Sequence, residues 1–242
     1  MDYSKGIVYA VVGERDVPFL SKSIELVRKF DSEIPITVYH DIPLRIDNVN
    51  NITLKQYERV KYPDREENRN SSLWRLIALR DSPYDHTLYL DNDIFIVHSG
   101  FFEGFKIAMH YGIAMVQNPL MFIKTNEGTI GDLDIGADVQ QYDKDFCSEM
   151  PSYMTAYNMG VMFHNKNHEP SKDFLNALID EQQLNPSRGQ AGLYRTIWKT
   201  KQAPYCLPIN WLVCRRHCNI DNPLALHVGH ENILGWWRNK FQ

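Results

Sequence analysis

The opening hundred residues alternate between two hydrophobic periods, and that alternation restricts the folds open to the chain more than any other feature. Residues 6–12, GIVYAVV, form a continuous apolar, β-branched run that stops at Gly13. Residues 17–30, VPFLSKSIELVRKF, follow with Leu20, Ile24 and Val27 at helical spacing. Residues 34–40, IPITVYH, read as a second strand closed by Asp41 and Pro43, so the first forty residues predict a βαβ unit with a parallel strand pair. The pattern then repeats. Residues 72–80, SLWRLIALR, carry Leu73, Leu76, Ile77 and Leu79 on one helical face, and Asp81-Ser-Pro83 stops them before a strand at 87–91. Strands separated by helices imply an open α/β sheet, which binds ligands at the carboxyl ends of its strands, where Gly13, Asp41 and Asp91 would lie.

Beyond residue 100 the pattern loosens. Residues 113–117 and 157–163 read as strands, 171–184 and 189–199 as helices, and 124–152, rich in Gly, Asp and Thr, as a long functional loop. The tail alternates short apolar runs with Pro204, Pro208 and Pro223. No repeat or linker divides the chain, so residues 1–242 are expected to form a single domain with a nucleotide-binding half, 1–97, and a donor-sugar and acceptor half, 98–242. A hydrophobic content of 43% supplies a large core for 242 residues.

A formal charge of −4 gives no basic field for nucleic acid. No window reaches the apolar length of a membrane span, and the first residues lack the charged and apolar regions of a secretory signal. The chain is therefore expected in the cytoplasm, or as a catalytic fragment. Asn51-Ile-Thr53 and Asn70-Ser-Ser72 match the glycosylation pattern, which carries no weight without such a signal. Cys206, Cys214, His217 and Cys218 could offer zinc ligands, but at an incomplete spacing; these cysteines and Cys147 are expected as reduced thiols.

The third strand ends in Leu88-Tyr-Leu-Asp91-Asn92-Asp93, and Ile94 to Val97 resume an apolar run. In an extended segment residues i and i+2 point to the same side, so Asp91 and Asp93 could reach one point while Asn92 faces away. Two carboxylates placed this way suit Mg²⁺ or Mn²⁺, completed by the phosphates of a substrate. The same triplet also suits a plain polar turn between strands.

In content and order, Arg75 on its helix, the D-x-D after an apolar strand, Tyr157-Asn-Met-Gly160, Gly189-Gln-Ala-Gly192, Leu207-Pro-Ile-Asn210 and Leu226-His-Val-Gly229 resemble the GT-A glycosyltransferases. The likeness spans Ile7 to about Trp237 and is closest to the glycogenin-like, family 8-like group. It implies a GT-A, Rossmann-like α/β domain with a mostly parallel central sheet flanked by helices and a smaller C-terminal acceptor-side subregion. It implies Mn²⁺ or Mg²⁺ held by Asp91, Asp93 and His227, a UDP-sugar donor, and a glycan, glycoprotein or other hydroxyl acceptor.

The resemblance also carries roles for individual residues. It sets the base and ribose against Val11, Val12 and Gly13, with Asp41, Asp91 and Asn92 nearby. It sets Asn158 and Gly160 beside the donor sugar and Gly229 after the metal histidine. Gln190 takes a sugar-contact position, although Gly189 stands where the family has an acid. Trp236, with Trp237 and Arg238, would act as a lid, although the family's proline there is missing. Arg75 is the candidate partner for the diphosphate or for an aspartate, because a guanidinium can bridge two oxyanions. The implied reaction is hexosyl or deoxyhexosyl transfer to a hydroxyl, with Asp93, Asn158 and Gln190 at the reacting centre. Retention of configuration is expected from the group, while Asp132, Asp134 and Asp138 leave an inverting base open. Two rivals remain: a metal-dependent nucleotidyl or phosphoryl transferase, and a catalytically silent nucleotide-sugar-binding module. Neither a P-loop nor a G-x-G-x-x-G signature occurs.

Overall fold

The computed structural model describes residues 4–46, 51–56, 70–122, 155–184, 189–214 and 220–229. Its strands are β1 (Lys5–Val11), β2 (Ile36–His40), β3 (Ile52–Gln56), β4 (His86–Leu90), β5 (Ile94–Ile96), β6 (Ile113–Phe122), β7 (Thr155–Asn165), β8 (Tyr205–Leu207), β9 (Val213–Cys214) and β10 (Ala225–His227). Its helices are α1 (Val17–Phe30), α2 (Asn70–Arg80), α3 (Gly104–Tyr111), α4 (Glu169–Leu184) and α5 (Gly189–Thr200).

Seven strands form one sheet in the order β3-β2-β1-β4-β7-β6-β8. Only β7 runs against the others: it is antiparallel to β4 and β6, whereas β1, β2, β3 and β4 are mutually parallel and β8 is parallel to β6. The sheet therefore takes strands from both sequence halves. Alternate residues of its central strands supply two cores, as a sheet covered on both faces requires. Val8, Tyr89, Met115 and Met162 pack with Leu73, Trp74 and Leu76 of α2, Phe174 and Leu178 of α4, and Leu193 and Tyr194 of α5. Ile7, Tyr9, Leu88, Leu90 and Ala114 pack on the opposite face with Leu20, Ile24 and Val27 of α1 and Phe105 and Ala108 of α3.

The sequence reading of strands and helices matches this order with small shifts at the ends, and α1 covers the residues expected of it. Strand β3 and helix α3 were not expected. Only two of the five positions of β3 are even half-buried, so its edge location leaves almost no hydrophobic signature. The apolar run after Asp93 also takes an unexpected course: β5 leaves the central sheet and joins a second, three-stranded sheet in the order β5-β10-β9. Among the described residues no helix is long and apolar enough to cross a membrane.

Candidate functional site

The carboxyl ends of β1, β2 and β4 bring the first group of residues together. Val11 is the last residue of β1 and is fully buried, Val12 packs on the core beside α2, and Gly13 turns the chain at φ 72°. A positive φ of this kind strains any side chain, so glycine fits the turn. The Gly13 N–H donates to Oδ1 of Asp41 at 2.8 Å, fastening the end of β1 to the residue after β2. Asn92 fastens the same strand to β4: its Nδ2 donates to the Ala10 carbonyl at 3.0 Å, and the side chain is buried.

Asp91 and Asp93 do not meet through an extended segment, which corrects the i, i+2 geometry expected for them. The Ile94 N–H donates to the Asp91 carbonyl at 3.1 Å, closing a tight turn over Asp91, Asn92 and Asp93. The polar-turn reading of Asp-Asn-Asp is thus realised, and it does not exclude a site. The turn leads directly into β5, whose antiparallel partner β10 sets His227 opposite Ile94. With the Val228 N–H also donating to the Asp93 carbonyl at 3.0 Å, Nε2 of His227 comes within 3.3 Å of Oδ2 of Asp93. Burial works against a charged His227, but the hydrogen bond and charge of Asp93 outweigh it and hold the imidazole above its ordinary value. Two residues 134 positions apart in sequence are joined in this way by the smaller sheet.

Arg75 projects from α2 onto the same cluster. Its Nη1 lies 3.3 Å from Oδ2 of Asp91, and its side chain is only 19% exposed, so it is not a solvated helix arginine. Burial disfavours its charge, yet Asp91, Tyr89 and Asp93 together keep the guanidinium above its usual value. The other oxygen of Asp91, Oδ1, accepts from the Tyr89 hydroxyl at 2.7 Å. Tyr89 was absent from the residues singled out in the sequence. The i, i+2 rule applied to Asp91 and Asp93 would have found it, because it relates Tyr89 to Asp91 along β4.

Gly160 completes the arrangement from β7. Its carbonyl accepts the Asp91 N–H at 2.8 Å, and a methyl group added at its Cα would stand 2.8 Å from Oδ2 of Asp91. Its N–H donates to Oδ1 of Asn158 at 2.7 Å. The β6–β7 register passes from Met115 opposite Met162 to Val116 opposite Asn158, so Gly160 sits in a bulge as well as beside the carboxylate. Tyr194 of α5 reaches this bulge, its hydroxyl accepting the Tyr157 N–H at 3.1 Å.

Gly229 follows His227 closely at φ 62°. Gln190 stands in the first turn of α5, but its side chain falls outside the described residues. So do Trp236, Trp237, Arg238, Asp132, Asp134, Asp138, Cys147, His217 and Cys218. Cys206 is a half-buried free thiol.

The site thus presents two carboxylates, one imidazole and one guanidinium at a strand end. Carboxylate and imidazole donors fit Mn²⁺ or Mg²⁺ chemically. As arranged, Asp93 and His227 are in contact while both Asp91 oxygens already have partners. Among the described residues no group of three His, Cys, Asp or Glu side chains stands ready around one point.

No family model and no curated protein matches this sequence. Among solved structures 440 chains match, so the fold is widely shared. One of them, described as the apo structure of WbbM, a bifunctional glycosyltransferase, has a TM-score of 0.62 at 13% identity. The match covers 96% of this chain and 47% of that one, so the chain spans about half the length of that protein. The architecture is accordingly α/β, with a mostly parallel central sheet flanked by helices as in a Rossmann-like glycosyltransferase.

Proposed function

We propose that this chain is a metal-dependent glycosyltransferase that moves a hexosyl or deoxyhexosyl group from a nucleotide diphosphate, UDP by preference, to an acceptor hydroxyl with retention of configuration. One observation carries the reading: Asp91 and Asp93 from the turn after β4, Arg75 from α2 and His227 from β10 come together at the carboxyl end of the central strands. The shared fold supports it.

In this reading the base and ribose lie against Val11, Val12 and Gly13, which meet them mainly through backbone groups. Asp41 and Asn92 hold that strand end in place through their bonds to Gly13 and Ala10. Asp93 and His227, with Asp91, would hold Mn²⁺ or Mg²⁺, which when bound supplies Lewis-acid neutralisation of the leaving diphosphate. Arg75 offers the same diphosphate its remaining N–H donors, and its depth below the surface strengthens each such bond. Transfer breaks the anomeric C–O bond, so the groups aimed at the departing phosphate oxygens lower the barrier most. Gly160 lets the donor sugar approach the backbone, and Asn158 and Gln190 orient its hydroxyls. Gly229 and Trp236 complete the donor side on the strength of the sequence. The family 8-like placement and retention rest on the sequence resemblance alone.

A silent nucleotide-sugar-binding module is the second reading, and the occupied oxygens of Asp91 favour it. UDP release from a panel of UDP-sugars with Mn²⁺ separates the two. Turnover by the unaltered protein and its loss in Asp93→Ala are expected, and binding of UDP-sugar without turnover in either protein would establish the module. NMR of the product's anomeric centre tests retention.

A further inference from the structure

Tyr89 carries a hydroxyl that packing alone does not require. The side chain is 2% exposed on β4, opposite Val8 of β1 and Met162 of β7, in a core that also holds Tyr39, Tyr84, Tyr157 and Tyr194. A phenylalanine would fill the same space without the cost of burying an O–H. That cost is offset at one point, where the hydroxyl donates to Oδ1 of Asp91 at 2.7 Å.

The two oxygens of Asp91 are held unequally. Oδ1 is held at 2.7 Å by a hydroxyl fixed in the sheet, whereas Oδ2 meets the Arg75 guanidinium at 3.3 Å, at the end of a long side chain. The short bond comes from the stiffer partner and sets the rotation of the carboxylate. The backbone of Asp91 is held as well, through its N–H to Gly160 and its carbonyl to Ile94. Rotation about its side-chain bonds is therefore the freedom left to Asp91, and Tyr89 restricts it.

We infer that Tyr89 is a positioning residue for divalent-cation binding, fixing the Asp91 carboxylate through Oδ1 so that Oδ2 is the oxygen available for exchange between Arg75 and a cation. The inference rests on the glycosyltransferase reading of the same site, because it assumes that Asp91, Asp93 and His227 take a cation. It predicts that the Arg75 contact gives way on cation binding while the Tyr89 contact persists.

The test is isothermal titration of Mn²⁺ into the metal-free full chain and into Tyr89→Phe, with circular dichroism and urea unfolding of both. Loss of an outer partner of a metal-ligating carboxylate is expected to raise the Mn²⁺ Kd about tenfold. Tyr89→4-aminophenylalanine, which restores an N–H donor at the same point, is expected to recover binding to within about threefold of the unaltered protein. A Kd unchanged in Tyr89→Phe overturns the inference and leaves the glycosyltransferase reading standing, provided the unaltered protein binds Mn²⁺. No Mn²⁺ binding by the unaltered protein overturns both. If Tyr89→Phe does not fold, the aminophenylalanine variant decides: a tenfold loss in that folded protein overturns the role of the donor.

Discussion

Replacing Gly160 by alanine tests the closest packing in the site. The added methyl would stand 2.8 Å from Oδ2 of Asp91, 2.9 Å from Cδ1 of Ile94 and 3.0 Å from Oδ1 of Asn158. Carbon–oxygen contacts settle at about 3.3 Å or more and carbon–carbon contacts at about 3.5 Å, so Asp91 and Ile94 must retreat by roughly half an ångström and Asn158 by about 0.3 Å. The retreat is hindered, because Asp91 is held by Tyr89, by Arg75 and by its own N–H to Gly160, and Asn158 is held by the Gly160 N–H. Overpacking of this kind costs about 1–3 kcal/mol. Urea unfolding should show a lowered midpoint with an unchanged slope. Because a misplacement of about 1 Å can cost about a hundredfold in rate, a shift of half that should lower UDP release about tenfold. A variant that unfolds at the original urea midpoint would refute the packing. One that unfolds early but releases UDP at the original rate would refute the link from Asp91 to turnover.

Glu181 accepts from Nε of Arg195 at 2.5 Å and Nζ of Lys199 at 2.7 Å, and Arg195 is 0% exposed. Glu181→Gln leaves that guanidinium buried with its countercharge removed, so urea unfolding should record a loss of about 3–5 kcal/mol. Burial alone would raise the Glu181 carboxyl, but these two partners outweigh it and hold it below 4.5, so its stabilisation is complete above pH 4.5 and fades as pH falls through the lowered value. Burial pushes the His164 imidazole from 6.5 down to about 4. The unfolded chain then takes up this proton first, so stability should decline between pH 6.5 and 4 at up to about 1.4 kcal/mol per unit, and His164→Gln should flatten that part of the profile. Ser23 of α1 donates to the Ile94 carbonyl at 2.6 Å and meets the Tyr9 hydroxyl at 3.0 Å, all buried. Ser23→Ala should lower stability by about 1–3 kcal/mol in urea unfolding, because it leaves a carbonyl and a hydroxyl without their partner.

The strand and helix order was legible because both hydrophobic periods are strong where an element is buried on a defined face. Tyr9 and Leu88 face one core while Val8 and Tyr89 face the other, and α1 carries Leu20, Ile24 and Val27 on one stripe. Edge strand β3 escaped detection for the converse reason: solvent takes most of its side chains. The candidate site was partly legible. Asp91, Asp93 and Arg75 could be singled out as chemically apt, and Asp41 and Gly13 as neighbours at a strand end.

By itself, the sequence determined the α/β alternation, the candidate binding edge of the sheet and the residue types assembled there, since periodicity and turn chemistry are properties of neighbouring residues. Only tertiary structure decided that Arg75 of α2 takes an oxygen of Asp91 and that β5 leaves the main sheet to bring His227 against Asp93. Those outcomes depend on contacts between segments far apart in the chain. No local pattern encodes them, because the energy that selects them comes from packing and pairing across the fold.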